Sequence, residues 1–144
     1  MSTYLDSSFA VSLYSPDANY LNAFHLMQST SDSLLISMLC ELETLNAFRL
    51  RVFRKEATPQ EADRSIRYFE LDLDSGVLER QPVPVRSFSR ANQVSIQYAA
   101  QLGVRTADLL HIAAALELGS TEFFSFDIQQ RKLADAVGLT LNPI

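Results

Sequence analysis

The feature of this chain that most narrows its fold is a recurring order: a short apolar stretch, a longer segment of helical periodicity, then another short apolar stretch. Thr3-Tyr4-Leu5 runs into Asp6 and is followed by Ser7-Ser8-Phe9, which reads as a strand leading into a serine-capped helix. Ser15-Pro16-Asp17 breaks that helix, and a second helical stretch containing Phe24, Leu26 and Met27 leads to a polar loop from Ser29 to Ser33. Leu34-Leu35-Ile36 predicts a strand, and Met38 to Phe53 a helix. Thr58-Pro59-Gln60-Glu61 supplies an N-cap, a proline at the first helical position and an acidic third residue, so a further helix is expected toward Tyr68. Phe69 to Leu73 reads as a strand, Asp74-Ser75-Gly76 as a turn, and Val77 to Val85 as extended chain that two prolines keep out of any helix. Ser87 to Leu102 is helical and closes at Gly103, and Thr106 caps an alanine- and leucine-rich helix ending near Gly119. Glu122 to Phe126 is an aromatic-rich strand ending at Asp127, followed by a helix through Ala136, Gly138 as its cap and a last strand at Leu139 to Leu141. Strands that alternate with helices predict a parallel sheet with both faces covered.

The 144 residues, 47% of them hydrophobic, suffice for one core, and residues 1–144 are read as a single domain. The only cysteine, Cys40, excludes a disulfide framework or a Cys/His zinc site built within the chain. No charged start leads into a signal-like apolar segment, and no run nears the roughly 18–20 apolar residues of a membrane span, so a cytoplasmic protein is expected. The formal net charge of −5 runs against the excess of Lys and Arg that usually meets phosphate backbones. Arg49, Arg51, Arg54 and Lys55, with Arg64 and Arg67 soon after, nevertheless form a basic strip; its plainer reading is a solvated helix face.

Four carboxylates stand apart. In parallel α/β sheets, ligands gather at the carboxyl ends of the strands, and Asp6 and Asp127 each follow an apolar strand there, although an Asp in that place also starts a turn or caps a helix. Steps of three and four residues along the third helical segment give Ile36, Leu39, Glu43, Ala47 and Leu50, an apolar stripe expected to face the core with Glu43 inside it. A carboxylate there must reach an edge, meet a cation side chain or hold a metal ion. Asp108 lies in the first turn of its helix, where the helix dipole alone favours it. If the four converge, carboxylates about 4 Å apart repel by about 4 kcal/mol per pair at an effective dielectric near 20, which calls for a cation. Oxygen-only ligands favour Mg²⁺ or Mn²⁺ over zinc.

These residues resemble the motifs of the PIN-domain nucleases, and most of all the VapC-type toxins of bacterial toxin–antitoxin pairs. Asp6-Ser7-Ser8 is similar to their first motif, and Ser37-Met38-Leu39-Cys40-Glu41-Leu42-Glu43 to their second, which selects Glu43. Arg105-Thr106-Ala107-Asp108 opening the Ala-rich helix resembles the third, and Phe124-Ser125-Phe126-Asp127 with Gly138 the fourth. The likeness runs from Tyr4 to Leu141; the stretch from Leu71 to Val85 lies outside the four motifs. It implies a three-layer α/β/α sandwich in which Asp6, Glu43, Asp108 and Asp127 hold one or two Mg²⁺ or Mn²⁺ ions and a metal-activated water hydrolyses RNA. Asp6 and Asp108 would bind metal directly, Glu43 would hold metal or position water, and Asp127 would serve a second metal or a water bridge. Ser8 and Ser125 would orient carboxylates, and Arg105 would contact phosphate or neutralise the cluster. A homodimer and a small antitoxin, its basic tail entering the acidic site, are implied as partners.

The competing function is a PIN-like module that binds RNA or protein with little catalysis, against which the presence of all four acids argues. A receiver- or phosphatase-type domain ranks below both, lacking paired acids after the first strand. His111, three residues after Asp108, is a candidate general base, but a histidine packed on a helix shoulder is the commoner arrangement. Asp72 and Asp74 form an Asp-x-Asp pair that reads as part of a turn beside Gly76.

Overall fold

The computed structural model describes residues 1–144. Five strands, β1 (Ser2–Leu5), β2 (Ser33–Ser37), β3 (Glu79–Gln81), β4 (Glu122–Phe124) and β5 (Thr140–Leu141), form one sheet in the order β3-β2-β1-β4-β5, with every pair parallel. Helices α1 (Ser7–Tyr14), α2 (Tyr20–Ser29), α3 (Met38–Phe53) and α4 (Pro59–Ser75) connect the first three strands. Helices α5 (Arg86–Leu102), α6 (Thr106–Glu117) and α7 (Ile128–Ala136) complete the chain. The protein is therefore an α/β/α sandwich around a parallel sheet, as the alternation predicts.

Successive side chains on a strand point to opposite faces, and β1 and β4 show how two cores follow from that. Leu5 and Phe124 join Phe9, Ile36, Phe48 and Phe69 on the side of α1 to α4. Tyr4 and Phe123 join Ile112, Ala113, Leu133 and Leu139 on the side of α5 to α7. Both faces of the central strands are buried, which is why β1, β2 and β4 read as nearly continuous apolar runs.

The order of the strands positions the site. From β1 the chain steps outward to β2 and β3, then crosses back to place β4 on the other side of β1. The carboxyl ends of β1 and β4 thus flank the point where strand order reverses, the usual place for a ligand cleft.

Several expectations need correction. Helix α4 does not stop at Tyr68; it runs to Ser75, so Phe69 to Leu73 is helix and Asp72 and Asp74 lie on it, not in a turn. Its buried residues Ala62, Ser65, Phe69 and Leu73 recur at helical spacing, whereas Leu71 is 55% exposed, so the apparent alternation of Leu71 and Leu73 does not define one buried face. Gly76 ends the helix at φ +83°, a left-handed conformation that suits glycine. The buried stripe of α3 is Cys40, Thr44 and Phe48, so Glu43 lies on its flank and not in its centre. Neither Ser7 nor Ser8 caps α1: Asp6 does, accepting from the Phe9 N–H, and Arg105 rather than Thr106 occupies the cap position of α6.

The start of α4 matches the sequence closely. Thr58 Oγ1 accepts from the Glu61 N–H at 3.1 Å, and Glu61 Oε1 accepts from the Thr58 N–H at 3.0 Å, with Pro59 at the first helical position. Thr58→Ala removes half of this reciprocal cap. It is expected to cost about 1 kcal/mol and to lower Tm by about 2–4 °C in a calorimetric melt.

Candidate active site

Each of the four carboxylates reaches the carboxyl edge of the sheet by a different route. Asp6 directly follows β1, and its N–H still pairs with Phe124 O of β4 at 3.1 Å. Glu43 stands in the second turn of α3, which begins where β2 ends. Helix α6 ends just before β4 starts, so it runs against the strands and brings Asp108, in its first turn, to the same edge. Asp127 follows β4 by three residues and caps α7.

Asp6 is only 2% exposed and fully engaged. Its Oδ1 accepts from Ser8 Oγ at 2.6 Å and from the Phe9 N–H at 2.9 Å, and its Oδ2 accepts from Ser125 Oγ at 2.5 Å. Burial raises the Asp6 carboxyl above its ordinary value, and the hydroxyls of Ser125 and Ser8 and the Phe9 N–H pull it back only in part. Ser125 Oγ also accepts from the Asp127 N–H at 3.0 Å, so one hydroxyl ties the two strand-end acids together. Asp127 Oδ1 accepts from the Gln130 N–H at 2.9 Å, leaving Oδ2 for other partners. Capping a helix occupies one carboxylate oxygen, so the capping and functional readings of Asp127 do not exclude each other.

The Arg105 guanidinium and the His111 ring stand among the acids. Arg105 Nε lies 3.4 Å from Asp108 Oδ2, its Nη2 lies 4.0 Å from Asp127 Oδ2, and its charge also bears on Glu43. His111 hydrogen-bonds Glu43 through Nε2 and acts electrostatically on Asp6. Burial pushes the Glu43 carboxyl up, but the His111 contact, followed by the Ser7 hydroxyl and Arg105, brings it below its ordinary value. The four acids thus share neighbours: His111 serves Asp6 and Glu43, and Arg105 serves Glu43, Asp108 and Asp127. The repulsion expected of such a cluster is met in part by the Arg105 guanidinium and by the His111 hydrogen bond to Glu43.

The fit of a metal ion follows from the same contacts. As the side chains stand, no three His, Cys, Asp or Glu groups are set around one ion, and Arg105 lies against Asp108 and Asp127 while His111 bonds Glu43. The Arg105 side chain is 75% exposed although that of Asp108 is only 6% exposed, so the guanidinium has room to swing into solvent and give way to a competing divalent charge. The remaining donors are carboxylate oxygens, the chemistry of a Mg²⁺ or Mn²⁺ site.

Sequence reasoning passes over two supports. Arg131 donates through Nη1 to Ser125 O at 2.9 Å and to Asn142 Oδ1 at 3.0 Å, and Asn142 Oδ1 accepts from the Ser125 N–H at 2.8 Å. Together they fix the backbone that carries Ser125. No spacing rule links them; only an Asn 1% exposed, near the end of the chain, signals a polar group with a buried task. Tyr4 reads from the sequence as a strand residue alone, yet its hydroxyl touches Ser37 Oγ and His111 Nδ1.

An apolar concavity lies elsewhere. A groove of about 740 Å³ opens between α1, α2 and α4, lined by Leu13, Tyr14, Tyr20, Phe24, Met27 and Tyr68 among others, and none of the four acids borders it.

The family model of the PIN domain matches residues 3–136, a span that contains all four acids. The chain belongs to the PIN domain family. A search among characterised proteins by sequence finds no match. Solved structures of similar fold include the VapC20 toxin of Mycobacterium tuberculosis, which cleaves the sarcin–ricin loop: 18% identity, TM-score 0.72, with 98% of this chain and 99% of that one covered. FitAcB from Neisseria gonorrhoeae is similar at 14% identity and TM-score 0.69, covering 98% and 96%. VapBC2 from Rickettsia felis, bound to a DNA fragment of its promoter, is similar at 17% identity and TM-score 0.64, covering 98% and 97%. These likenesses concern the PIN fold. No helix is long and apolar enough to cross a membrane.

Proposed function

We propose that this PIN-domain protein is a Mg²⁺- or Mn²⁺-dependent endoribonuclease and the toxin of a toxin–antitoxin pair. The observation that carries the reading is the gathering of Asp6, Glu43, Asp108 and Asp127 around His111 and Arg105 at the carboxyl edge of the sheet. Asp6, Asp108, Asp127 and Glu43 would hold one or two ions. A bound ion of this class lowers the pKa of a water and stabilises the charge that develops in phosphodiester hydrolysis.

The chain's own residues do the rest. Ser8 and Ser125 hold both oxygens of Asp6 in place, so the carboxylate keeps one orientation. Arg131 and Asn142 hold Ser125 in turn. Arg105, once displaced from Asp108 and Asp127, is free to meet a phosphate oxygen at the rim, where its planar fork suits the contact. No side chain needs to act as a nucleophile.

A small antitoxin is the partner this reading implies, in line with the VapBC2 structure of similar fold. The apolar groove between α1, α2 and α4 offers the face for an amphipathic helix, and the net charge of −5 suits a basic tail. A homodimer, residues 1–144 as one domain and a cytoplasmic setting belong to the same proposal.

Purified protein given Mn²⁺ should cleave structured RNA, and chelation should stop it. Binding of RNA without cleavage at any Mn²⁺ or Mg²⁺ concentration would instead favour the binding-module reading. Arg105→Ala supplies a second check. Its metal-free form is expected to melt lower, because the buried Asp108 loses its guanidinium partner, and Mn²⁺ should raise its Tm by more than it raises the wild type's. Calorimetry with and without Mn²⁺ reads both.

A further inference from the structure

A line of buried polar groups runs behind Glu43 that the proposed chemistry does not use. Tyr4 is fully buried, and its ring stacks on Phe123 with centroids 5.3 Å apart and planes 7° apart, so the hydroxyl cannot swing away. That hydroxyl lies 2.6 Å from Ser37 Oγ and 2.8 Å from His111 Nδ1. His111, itself 2% exposed, meets Glu43 Oε1 through Nε2.

Counting hydrogens gives these bonds a direction. Ser37 caps α3, and its Oγ accepts from the Cys40 N–H at 3.1 Å. Its one hydroxyl hydrogen has a single remaining partner, the Tyr4 oxygen. Tyr4 then spends its own hydrogen on His111 Nδ1, which must accept. The ring hydrogen is left on Nε2 and goes to Glu43. Every group in the line is satisfied in this direction. In the reverse direction, Nδ1 donates to Tyr4 and Tyr4 to Ser37, and the Ser37 hydrogen is left buried with no acceptor, which proteins rarely tolerate.

We infer that Ser37, Tyr4 and His111 form a one-way hydrogen-bond chain that ends on Glu43 and fixes which way its carboxylate faces. Tyr4 and His111 are thus positioning residues for Glu43. Cys40, on the same turn as Ser37, turns its thiol to Leu5 O and takes no part. The direction of the chain rests on geometry alone, and only its consequence for rate rests on the nuclease reading.

The first test reads the direction without any activity. The chain has two histidines, and long-range ¹H–¹⁵N correlation of the ¹⁵N-labelled protein at mildly alkaline pH distinguishes their ring nitrogens, with His25→Gln assigning the exposed one. The expected result is a His111 ring protonated on Nε2 alone; in Tyr4→Phe the Glu43 bond still holds that hydrogen, and the Nδ1 resonance should shift as its donor is lost. A proton on Nδ1, or a mixture of the two forms in the wild type, overturns the inference.

The second test reads the consequence by steady-state RNA cleavage at saturating Mn²⁺. Tyr4→Phe should lower kcat about 10-fold and His111→Leu about 100-fold, with KM for RNA unchanged, the range found when a ligand loses its orienting partner. His111→Gln places an amide N–H near the position of Nε2 and should recover to within about 10-fold of wild type. If His111→Leu matches wild type, or His111→Gln does no better than His111→Leu while both melt as wild type does, the positioning role is wrong. A wild-type protein with no metal-dependent cleavage would instead defeat the nuclease reading, and the ring-nitrogen measurement would still decide the direction of the chain.

Discussion

Asp6→Asn is expected to make the metal-free protein melt higher than wild type while slowing Mn²⁺-dependent RNA cleavage by more than about 100-fold, the upper end of the loss from removing only a ligand's supporting partner. The two effects have one cause. Asp6 is buried where its charge is poorly solvated, and burial raises its carboxyl above the ordinary value. A raised folded-state value means that the group's contribution to stability is fully present below the unfolded-state value. It is lost as pH rises through the folded-state value, so above that value the ionised side chain strains the metal-free fold. Asn carries no charge at any pH, keeps an oxygen for the Phe9 N–H and can donate to Ser125. A gain on the order of 1 kcal/mol, about 2–4 °C in Tm, fits the usual exchange of function for stability at such sites. The gap between the two proteins should narrow on acidification, as wild-type Asp6 protonates. Mn²⁺ should raise the Tm of wild type and leave Asp6→Asn nearly unmoved. A variant that is less stable than wild type at neutral pH, or that still cleaves at the wild-type rate with Mn²⁺, would show that Asp6 is neither a strained charge nor a metal ligand.

Phe9→Ala should be the most damaging single truncation near the site. The Phe9 ring is fully buried between Phe124 and Phe126, with centroids 5.3 Å and 5.2 Å away, and its N–H is the one that Asp6 accepts. One residue therefore joins the first turn of α1 to the end of β4 and aligns Asp6 with Ser125. Emptying that space should cost about 3–5 kcal/mol, a large part of the roughly 5–15 kcal/mol by which domains are stable. The expected Tm loss is on the order of 10 °C. Since Ser125 would lose its alignment to Asp6, cleavage below the new Tm should also fall. Denaturant melts and RNA cleavage at low temperature separate the two effects. A variant within about 1 kcal/mol of wild type, little more than the cost of a surface change, would show that the aromatic cluster does not anchor this corner.

The acids that follow strands are legible because, in an alternating α/β chain, an apolar run that stops at a carboxylate sets that acid at the carboxyl edge of the sheet. Glu43 is reached by a stripe that the structure displaces by one residue. Cys40, Thr44 and Phe48 face the core, and Glu43 lies on the shoulder, its side chain one-third exposed. The motif spacing from Ser37 selects the same residue, and that spacing has a physical basis, since Ser37 caps the helix whose second turn carries Glu43. The end of α4 is misread because Glu70-Leu71-Asp72-Leu73-Asp74 alternates as a strand does, while the longer stripe through Ala62, Ser65, Phe69 and Leu73 carries the helix on to Gly76. Strand β3 gives little signal because its Glu79-Arg80-Gln81 sits at the sheet edge, where one side faces water.

His111 shows most clearly where sequence reasoning stops. From spacing alone it is a candidate base or a packed shoulder residue. In the fold it is neither free nor idle, because Tyr4, 107 positions earlier in the chain, holds its other nitrogen. Pairings of that kind arise only when the sheet brings β1 against α6, and no local pattern announces them.

Whether the four carboxylates form one divalent-ion site is read most directly by anomalous scattering from crystals soaked in Mn²⁺. The expected map has a peak bonded to an oxygen of Asp6 and to at least one of Glu43, Asp108 and Asp127, at about 2.0–2.3 Å, with the Arg105 side chain turned away from Asp108. Saturating Mn²⁺ that leaves these four residues bare, or that appears only on exposed surface acids, would show that they do not form such a site.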